Sequence, residues 1–534
     1  MKLSKRIKIK LFTLLIALNI ILRIPFFPHE YGMDSFVIHA LANSVSTFGR
    51  AEWWLSPLSI FGLYPYSECS AVPFVLSGIS QTTGIDVEQV IRLFCITLGL
   101  FTVFAAYIMA GQIIDDDLYK FLVAFGFSLS PAILNYLTWT IAARAPFIAL
   151  LPLFVYSLLK CHTYKLRYGF LTLILFVLLF AIHHLVYFLI PVFIGYFIVV
   201  ISYKLKSHIK FKSKIKIPEK YITFAVIIAF LVMFAIPFQT RRLLEVGSRY
   251  EAVNMLFFGN LPRYAGVLGV FAIGGFAHLL FKSNKRFEEW SLLFIMLFLM
   301  PLLYVETYMK WFIPCFILLL GSIGLINILK SEGKKRKYAI LVVISFLLLS
   351  VSFSGFYQHW RTGGSGVKLF DNYMKESTYI AGLWVKENVV NGSTISNDVN
   401  TIGIRAFAVS GVPHLTGFYD TVDLAYGFAN VSKLKLVKKS ITEEDYWFNG
   451  PYSLQIDSYS SGRCWGDIMG NSYEYYEYRY RSEFNFTHFV ENKKIDGRRV
   501  FGSDIVYPSP FLDSIHEEKE CVYDNGAVGI WYLR

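Results

Sequence analysis

The chain has 534 residues, of which 55% are hydrophobic and 17% aromatic, and it carries a formal net charge of +13. This composition excludes an ordinary soluble protein and is typical of a protein that crosses a membrane many times. The positive charge does not indicate a nucleic-acid partner, because lysines and arginines concentrate in short segments between apolar runs, as they do in cytoplasmic membrane loops.

About eleven apolar runs approach the roughly 20 residues that a membrane-spanning helix needs. They lie near 11–27, 90–112, 119–136, 143–159, 167–183, 185–203, 221–238, 263–281, 290–305, 311–329 and 338–356. Basic clusters occur at the N-terminus and at 204–220, 282–286 and 334–337. Since such clusters stay in the cytoplasm, we predict a multi-pass plasma-membrane protein with a cytoplasmic N-terminus and an extracytoplasmic C-terminus.

The first large outside segment is predicted at 28–89, and within it Asp34 opens an amphipathic stretch that ends at Gly49. Asp34 has two interpretations, a catalytic carboxylate or the N-cap of this helix. A cap stabilises a helix by about 1 kcal/mol, and this second interpretation is favoured for Asp34 taken alone. His39 lies five residues further on and therefore on a different face, where it contacts substrate or packs in the core.

The composition changes after about residue 357. This tail holds 22 of the 38 acidic residues of the chain and has no long apolar run. Three Asn-x-Ser/Thr sequons agree with an extracytoplasmic position, at Asn391, Asn430 and Asn485. A helical pattern at 379–388 and strand-like segments at 393–396 and 526–533 predict a small α/β or α+β domain. We therefore divide the chain into a transmembrane domain, 1–356, and a soluble extracytoplasmic domain, 357–534.

The layout resembles the GT-C superfamily of membrane glycosyltransferases, which includes protein O-mannosyltransferases, aminoarabinose transferases and oligosaccharyltransferase catalytic subunits. The resemblance rests on Gly32-Met33-Asp34-Ser35 with the helix 35–48, Tyr64-Pro65-Tyr66-Ser67, Ser130-Pro131 and Trp139-Thr140-Ile141-Ala142-Ala143-Arg144. It is architectural over the whole chain and at the level of motifs only in these patches. Many relatives have Asp-Glu where this chain has Asp34-Ser35, and the Trp-Trp-Asp-Tyr-Gly signature of oligosaccharyltransferases is absent. The missing signature favours a monosaccharide transferase over an oligosaccharyltransferase.

The resemblance implies transfer of a sugar, with inversion, from a polyprenyl (dolichyl) phosphate carrier in the lipid bilayer. The acceptor, a glycan, lipid or protein, would be reached on the extracytoplasmic face. Its hydroxyl must lose a proton as it attacks the anomeric carbon, and Asp34 is the candidate base by position and by resemblance. The leaving phosphate needs positive charge or hydrogen-bond donors. The content of lysine and isoleucine favours a prokaryotic source, and the sequons favour an archaeal one.

Several polar residues near predicted outside helix ends are candidate substrate contacts. Arg144, Arg241 and Lys310 are cations that either bind the phosphate or anchor helices at the membrane surface. His183 and His184 either donate hydrogen bonds to phosphate or pack at the interface, and two histidines are too few for a metal site. The other candidate contacts are His39, Tyr64, Tyr66, Glu68, Glu306 and Tyr308. A divalent cation, Mg or Mn, stays open as a cofactor.

Asp115-Asp116-Asp117 has the composition of a metal site, but it falls in a predicted cytoplasmic loop, where a helix cap and charge cluster is favoured. Two other functions remain alternatives. A secondary transporter would carry ionisable residues near the membrane midplane and repeated halves, and neither is evident in the sequence. A membrane scaffold that presents the C-terminal domain would not need so many spans.

Overall fold

The computed structural model describes residues 2–25, 27–49, 70–212, 221, 223–229, 261–304, 308–330, 334–362, 374–390, 395–397, 400–412, 435–438, 440–442, 452–456, 459–460, 487–493 and 515–534. Up to residue 362 the described chain is mainly helical. Its helices are α1 (Lys5–Ile21), α2 (Met33–Phe48), α3 (Ala71–Thr83), α4 (Val87–Ile113), α5 (Asp117–Ser128), α6 (Pro131–Leu134), α7 (Arg144–Lys160), α8 (Lys165–Ile182), α9 (Leu189–Lys212), α10 (Leu261–Ala265), α11 (Ala272–Phe281), α12 (Phe287–Leu299), α13 (Met309–Phe312), α14 (Pro314–Leu329) and α15 (Lys334–Thr362). Short 3-10 segments lie at His184–Phe188, Val267–Phe271 and Met300–Tyr304.

Among the described residues, four stretches are long and apolar enough to cross a membrane. They are Val87–Ile113, Lys165–Ile182, His184–Leu205 and Lys337–Phe356. Val267–Phe281 and Pro314–Leu329 are apolar but shorter. A helical membrane protein is therefore confirmed, whereas the count of about eleven spans stays a prediction.

One predicted span is interrupted by local chemistry, and one break between predicted spans is confirmed. In the run 119–136, α5 ends at Ser128 and Pro131 begins a new short helix, because proline fits the first turn of a helix and not its interior. The run 167–203 breaks at His183, as predicted. His183 has extended backbone (φ −161°, ψ 148°), and its Nδ1 accepts a hydrogen bond from the Leu185 N–H at 3.0 Å.

The three aspartates after α4 form a charge cluster at one end of the helices. Asp116 caps α5 by accepting bonds from two backbone N–H groups. Nζ of Lys2 lies 2.6 Å from Oδ2 of Asp115, and Nζ of Lys8 lies 2.8 Å from Oδ2 of Asp117. Hydrogen bonds from Lys120 and Lys2 lower the pKa of Asp115 to about 2. The cap-and-charge interpretation of this segment is therefore confirmed, and the basic N-terminus lies at the same end.

Helices α11 and α14 contact each other through backbone rather than side chains. A Cβ placed on Gly275 would lie 1.8 Å from the Leu320 carbonyl oxygen, and one on Gly324 would lie 2.4 Å from the Phe271 carbonyl oxygen. Real side chains do not reach such distances. Small residues at such crossings let membrane helices approach closely.

We expect Gly275→Ala to destabilise the protein, because the added methyl group meets backbone that cannot move aside. Overpacking of this kind costs roughly 1–3 kcal/mol. The neighbouring Gly274→Ala is the matched control, since nothing lies within 4 Å of a Cβ at that position. Thermal melting in detergent should show a lower Tm for Gly275→Ala alone, and equal melting of both variants would contradict the close crossing.

The C-terminal part combines helices and strands. Its helices are α16 (Glu376–Asn388) and α17 (Asn400–Ser410). Its strands are β1 (Ile395–Asn397), β2 (Lys435–Lys438), β3 (Tyr452–Ile456), β4 (Tyr459–Ser460), β5 (His488–Asn492), β6 (Glu520–Asp524) and β7 (Val528–Tyr532). One sheet has the order β1-β5-β7-β6, parallel between β1 and β5 and otherwise antiparallel, and an antiparallel sheet has the order β2-β3-β4. Apolar residues of α16 pack with those of β5 and β7. The predicted helix and final strand are present, and the division at 357 stays a prediction.

The C-terminal helices contact α2 and the segment before it. The Arg405 guanidinium carbon lies 5.1 Å from the Phe36 ring centroid, and Asn43 Nδ2 donates to the Ala408 carbonyl oxygen at 2.8 Å. His29 lies 3.1 Å from a Glu376 carboxyl oxygen. Helix α2 is thus packed on one side by the C-terminal part of the chain.

Candidate functional site

Asp34 lies in the first turn of α2 and is not its N-cap. The N-cap is Gly32, whose φ of +95° is a conformation that favours glycine, and no side chain caps this end. The helix ends at Gly49 with φ +69°, as predicted. The N-cap interpretation of Asp34 is therefore wrong, because the helix starts one residue before it.

The carboxylate of Asp34 instead forms an ion pair with Arg144, the first residue of α7. Oδ2 of Asp34 accepts a hydrogen bond from Nη2 of Arg144. The Asp34 side chain is 42% exposed and that of Arg144 is 13% exposed. The pair therefore has a buried cationic side and an accessible carboxylate side.

Aromatic rings surround the Arg144 guanidinium. Its carbon lies 4.6 Å from the Tyr136 ring centroid and 4.7 Å from that of Trp311. Lys310 approaches Trp311 too, with Nζ 4.4 Å from the ring centroid, and lies 5.6 Å from that of Tyr264. Cation–π contacts of this kind hold positive charge near a low-dielectric surface. Trp311 thus joins two of the predicted cations in one cluster.

The two histidines continue this cluster. The His183 and His184 rings lie 4.1 Å apart, and His184 lies 4.6 Å from Tyr308 between ring centroids. Tyr308 is in turn 5.0 Å from Trp311. His183 is fully buried, and its Nε2 has no hydrogen-bond partner within the described part of the chain. A buried polar atom without a partner is costly, so it marks a place where a ligand group could be accepted.

Six of the sequence-predicted residues therefore come together, namely Asp34, Arg144, His183, His184, Tyr308 and Lys310. His39 is buried apart from them beside Glu30. Five candidates lie outside the described residues, namely Tyr64, Tyr66, Glu68, Arg241 and Glu306. Sequence reasoning missed Tyr136 and Trp311, and the only signal for Trp311 is its position next to Lys310.

The described residues contain no group of three or more His, Cys, Asp or Glu side chains that could hold a metal ion. Glu68 and Glu306, two of the predicted substrate contacts with carboxylate side chains, are not among the described residues. A divalent cation stays open for this protein.

No protein-family model matches this sequence, and no curated protein matches it. Solved structures do. The Archaeoglobus fulgidus oligosaccharyltransferase tethered with an acceptor peptide matches with a TM-score of 0.59 at 10% identity, covering 92% of this chain and 70% of that one. ArnT from Cupriavidus metallidurans in its apo state matches with a TM-score of 0.51 at 8% identity, covering 97% of both chains.

The chain has the GT-C fold. The arabinofuranosyltransferase AftD from Mycobacteria adds to this, with a TM-score of 0.50 at 12% identity over 100% of this chain and 40% of AftD. The resemblance of the sequence to GT-C enzymes is thus confirmed for the fold. At such low sequence identity the GT-C fold does not indicate which substrate is used, so the activity has to be argued from the site.

Proposed function

We propose that the protein is a membrane glycosyltransferase that moves a sugar from a polyprenyl phosphate carrier to an acceptor hydroxyl on the extracytoplasmic face. The observation that carries this proposal is the Asp34–Arg144 pair at the start of two helices, joined to a cluster of aromatic and basic side chains. The names of the structural neighbours, an oligosaccharyltransferase and an arabinofuranosyltransferase, support the reaction class.

Asp34 is proposed as the general base. Its carboxylate is accessible, so an acceptor hydroxyl can reach it and pass its proton to it during attack. The acceptor oxygen bonds to the anomeric carbon as the bond from that carbon to the phosphate oxygen breaks. Attack from the side opposite the leaving phosphate inverts the anomeric configuration.

Arg144 and Lys310 are proposed to receive the leaving phosphate. Both sit against Trp311, and Arg144 is mostly buried, which favours a ligand role over that of a surface anchor. Positive charge fixed in a partly dry site stabilises a developing anion more than it would in water. The partnerless Nε2 of His183 is suited to one further hydrogen bond.

Helix α4 supports an assignment of the two ends of the protein to the two sides of the membrane. Its first turn holds Glu88, which accepts a hydrogen bond from the backbone of Glu30, close to Asp34 in sequence. Its other end leads to Asp115, which pairs with Lys2. A helix of 27 residues is about 40 Å long, enough to cross a bilayer. We infer that the basic end is cytoplasmic and that the site and residues 357–534 are extracytoplasmic.

The test is sugar transfer by the purified protein from a panel of radiolabelled polyprenyl-phosphate sugars to lipid, glycan and peptide acceptors. We expect transfer from one donor, and an arm with EDTA followed by Mg or Mn decides whether a divalent cation is needed. Correctly folded protein that transfers nothing from the panel would contradict the proposal and favour the transporter or scaffold alternatives.

A further inference from the structure

Glu30 is a buried acid that sequence reasoning did not use. Its side chain is completely shielded from solvent. One carboxyl oxygen, Oε1, lies 2.6 Å from Nδ1 of His39, and the other, Oε2, accepts a hydrogen bond from Ser35 Oγ at 3.0 Å. A buried carboxyl group is costly unless it is hydrogen-bonded, and here each of its two oxygens has a partner.

Ser35 connects this carboxyl group to the segment that leads into α7. Its Oγ accepts a hydrogen bond from the Ile141 N–H at 3.1 Å. Close by, the Tyr31 N–H donates to the Trp139 carbonyl oxygen at 3.1 Å. Trp139 has φ +50°, a strained backbone conformation for a residue with a side chain, which persists only where the surroundings hold it.

The two segments that these hydrogen bonds join lead directly to Asp34 and Arg144, the pair at the proposed site. Asp34 immediately precedes Ser35, and Arg144 follows Ile141 by three residues. The geometry between Asp34 and Arg144 therefore depends on how the two segments are held together. Because Glu30 is fully buried, no acceptor can reach it, so any effect of Glu30 on catalysis must act through the residues that it contacts. Of these, Ser35 is the one next to Asp34.

We propose that Glu30, held by His39, is a positioning residue that sets the place of the Asp34 carboxylate. This inference rests on the proposed function, because it assigns a role in the same reaction. A displacement of about 1 Å of a reacting group costs on the order of 10²-fold in rate. The Glu30–His39 pair therefore affects the rate of the chemical step more than the binding of the sugar donor.

The variant Glu30→Gln tests this, because an amide has one NH2 group and cannot accept from both donors. We expect kcat for sugar transfer to fall about 10- to 100-fold while KM for the donor changes little. His39→Ala should behave in the same way. His39→Asn should restore most of kcat, since the asparagine NH2 can donate where Nδ1 does.

The matched control is Glu491→Gln in β5. Glu491 is also buried and bonds a histidine, with its Oε2 3.0 Å from His516 Nε2, but it lies in the C-terminal sheet. Its replacement should leave kcat unchanged. An equal loss in Glu491→Gln, an unchanged kcat in Glu30→Gln, or a failure of His39→Asn to exceed His39→Ala would overturn the inference.

Hydrogen exchange gives a readout that needs no activity. In Glu30→Gln, peptides containing the Tyr31 and Ile141 amides should exchange faster than in the wild type, with α14 unchanged as an internal reference. Unaltered exchange at both amides would overturn the positioning role even if the wild type transfers sugar. Faster exchange in Glu30→Gln, together with no sugar transfer by the wild type, would instead contradict the proposed function and leave the structural link between the segments intact.

Discussion

Asp34→Asn is expected to lower kcat for sugar transfer by about 10²- to 10⁴-fold, the contribution of a general base. Asparagine has nearly the same shape and can still accept a hydrogen bond from Arg144, but it cannot take the proton of the acceptor. Binding of the polyprenyl phosphate should be close to that of the wild type. The measurement is transfer from the active donor beside a thermal melt of both proteins.

The control for this variant is Asp86→Asn. Asp86 is the N-cap residue of α4, its side chain is 81% exposed, and its Oδ1 lies 3.7 Å from Lys386 Nζ. We expect its replacement to leave transfer intact. Equal transfer by Asp34→Asn and the wild type would show that Asp34 is no base, and the search would then move to Glu68 and Glu306.

Arg144→Lys is expected to lower kcat/KM about 10²-fold and to weaken binding of polyprenyl phosphate. Lysine keeps the charge but not the planar group that lies against Tyr136 and Trp311 while bonding Asp34. The guanidinium group of Arg144 holds its N–H donors in a fixed direction toward the leaving phosphate, and a lysine ammonium group does not. Steady-state kinetics over a range of donor concentrations, with direct binding of the carrier lipid, separates the two effects.

Arg92→Lys provides the comparison for Arg144. Arg92 also stacks on an aromatic ring, with its guanidinium carbon 5.2 Å from the Trp139 ring centroid. Loss of a cation–π contact alone should cost both variants a similar, small amount of stability, whereas only Arg144→Lys should lose transfer. Full transfer by Arg144→Lys would reduce Arg144 to a structural partner of Asp34.

Much of the fold could be predicted locally. Long apolar runs predict helices, and glycine and histidine mark where they end, as at Gly49 and His183. The break before Pro131 was not predicted, because the apolar run 119–136 continues across it. The first residue of helix α2 was harder to predict. The N-cap was predicted at Asp34 because aspartate is a favoured cap, but Gly32 already allows the turn and the carboxylate is bound elsewhere.

The candidate site could be predicted only in part. Asp34, Arg144 and Lys310 are recognisable as charges at the ends of apolar runs, which is a local property of the sequence. Trp311 could not be distinguished from the other aromatic residues, because what sets it apart is that two cations approach it. Glu30 appeared only as a polar residue after the first span, although it is fully buried.

The sequence by itself determined that this is a helical membrane protein with short basic segments between its apolar runs, since hydropathy and charge act residue by residue and need no knowledge of contacts. Only the tertiary structure decided that Asp34 meets Arg144, 110 residues away, and that buried Glu30 accepts a hydrogen bond from Ser35, the residue after Asp34. Such pairs depend on how helices pack and where loops cross. Helix packing brings together residues distant in sequence, and neither periodicity nor composition records which ones.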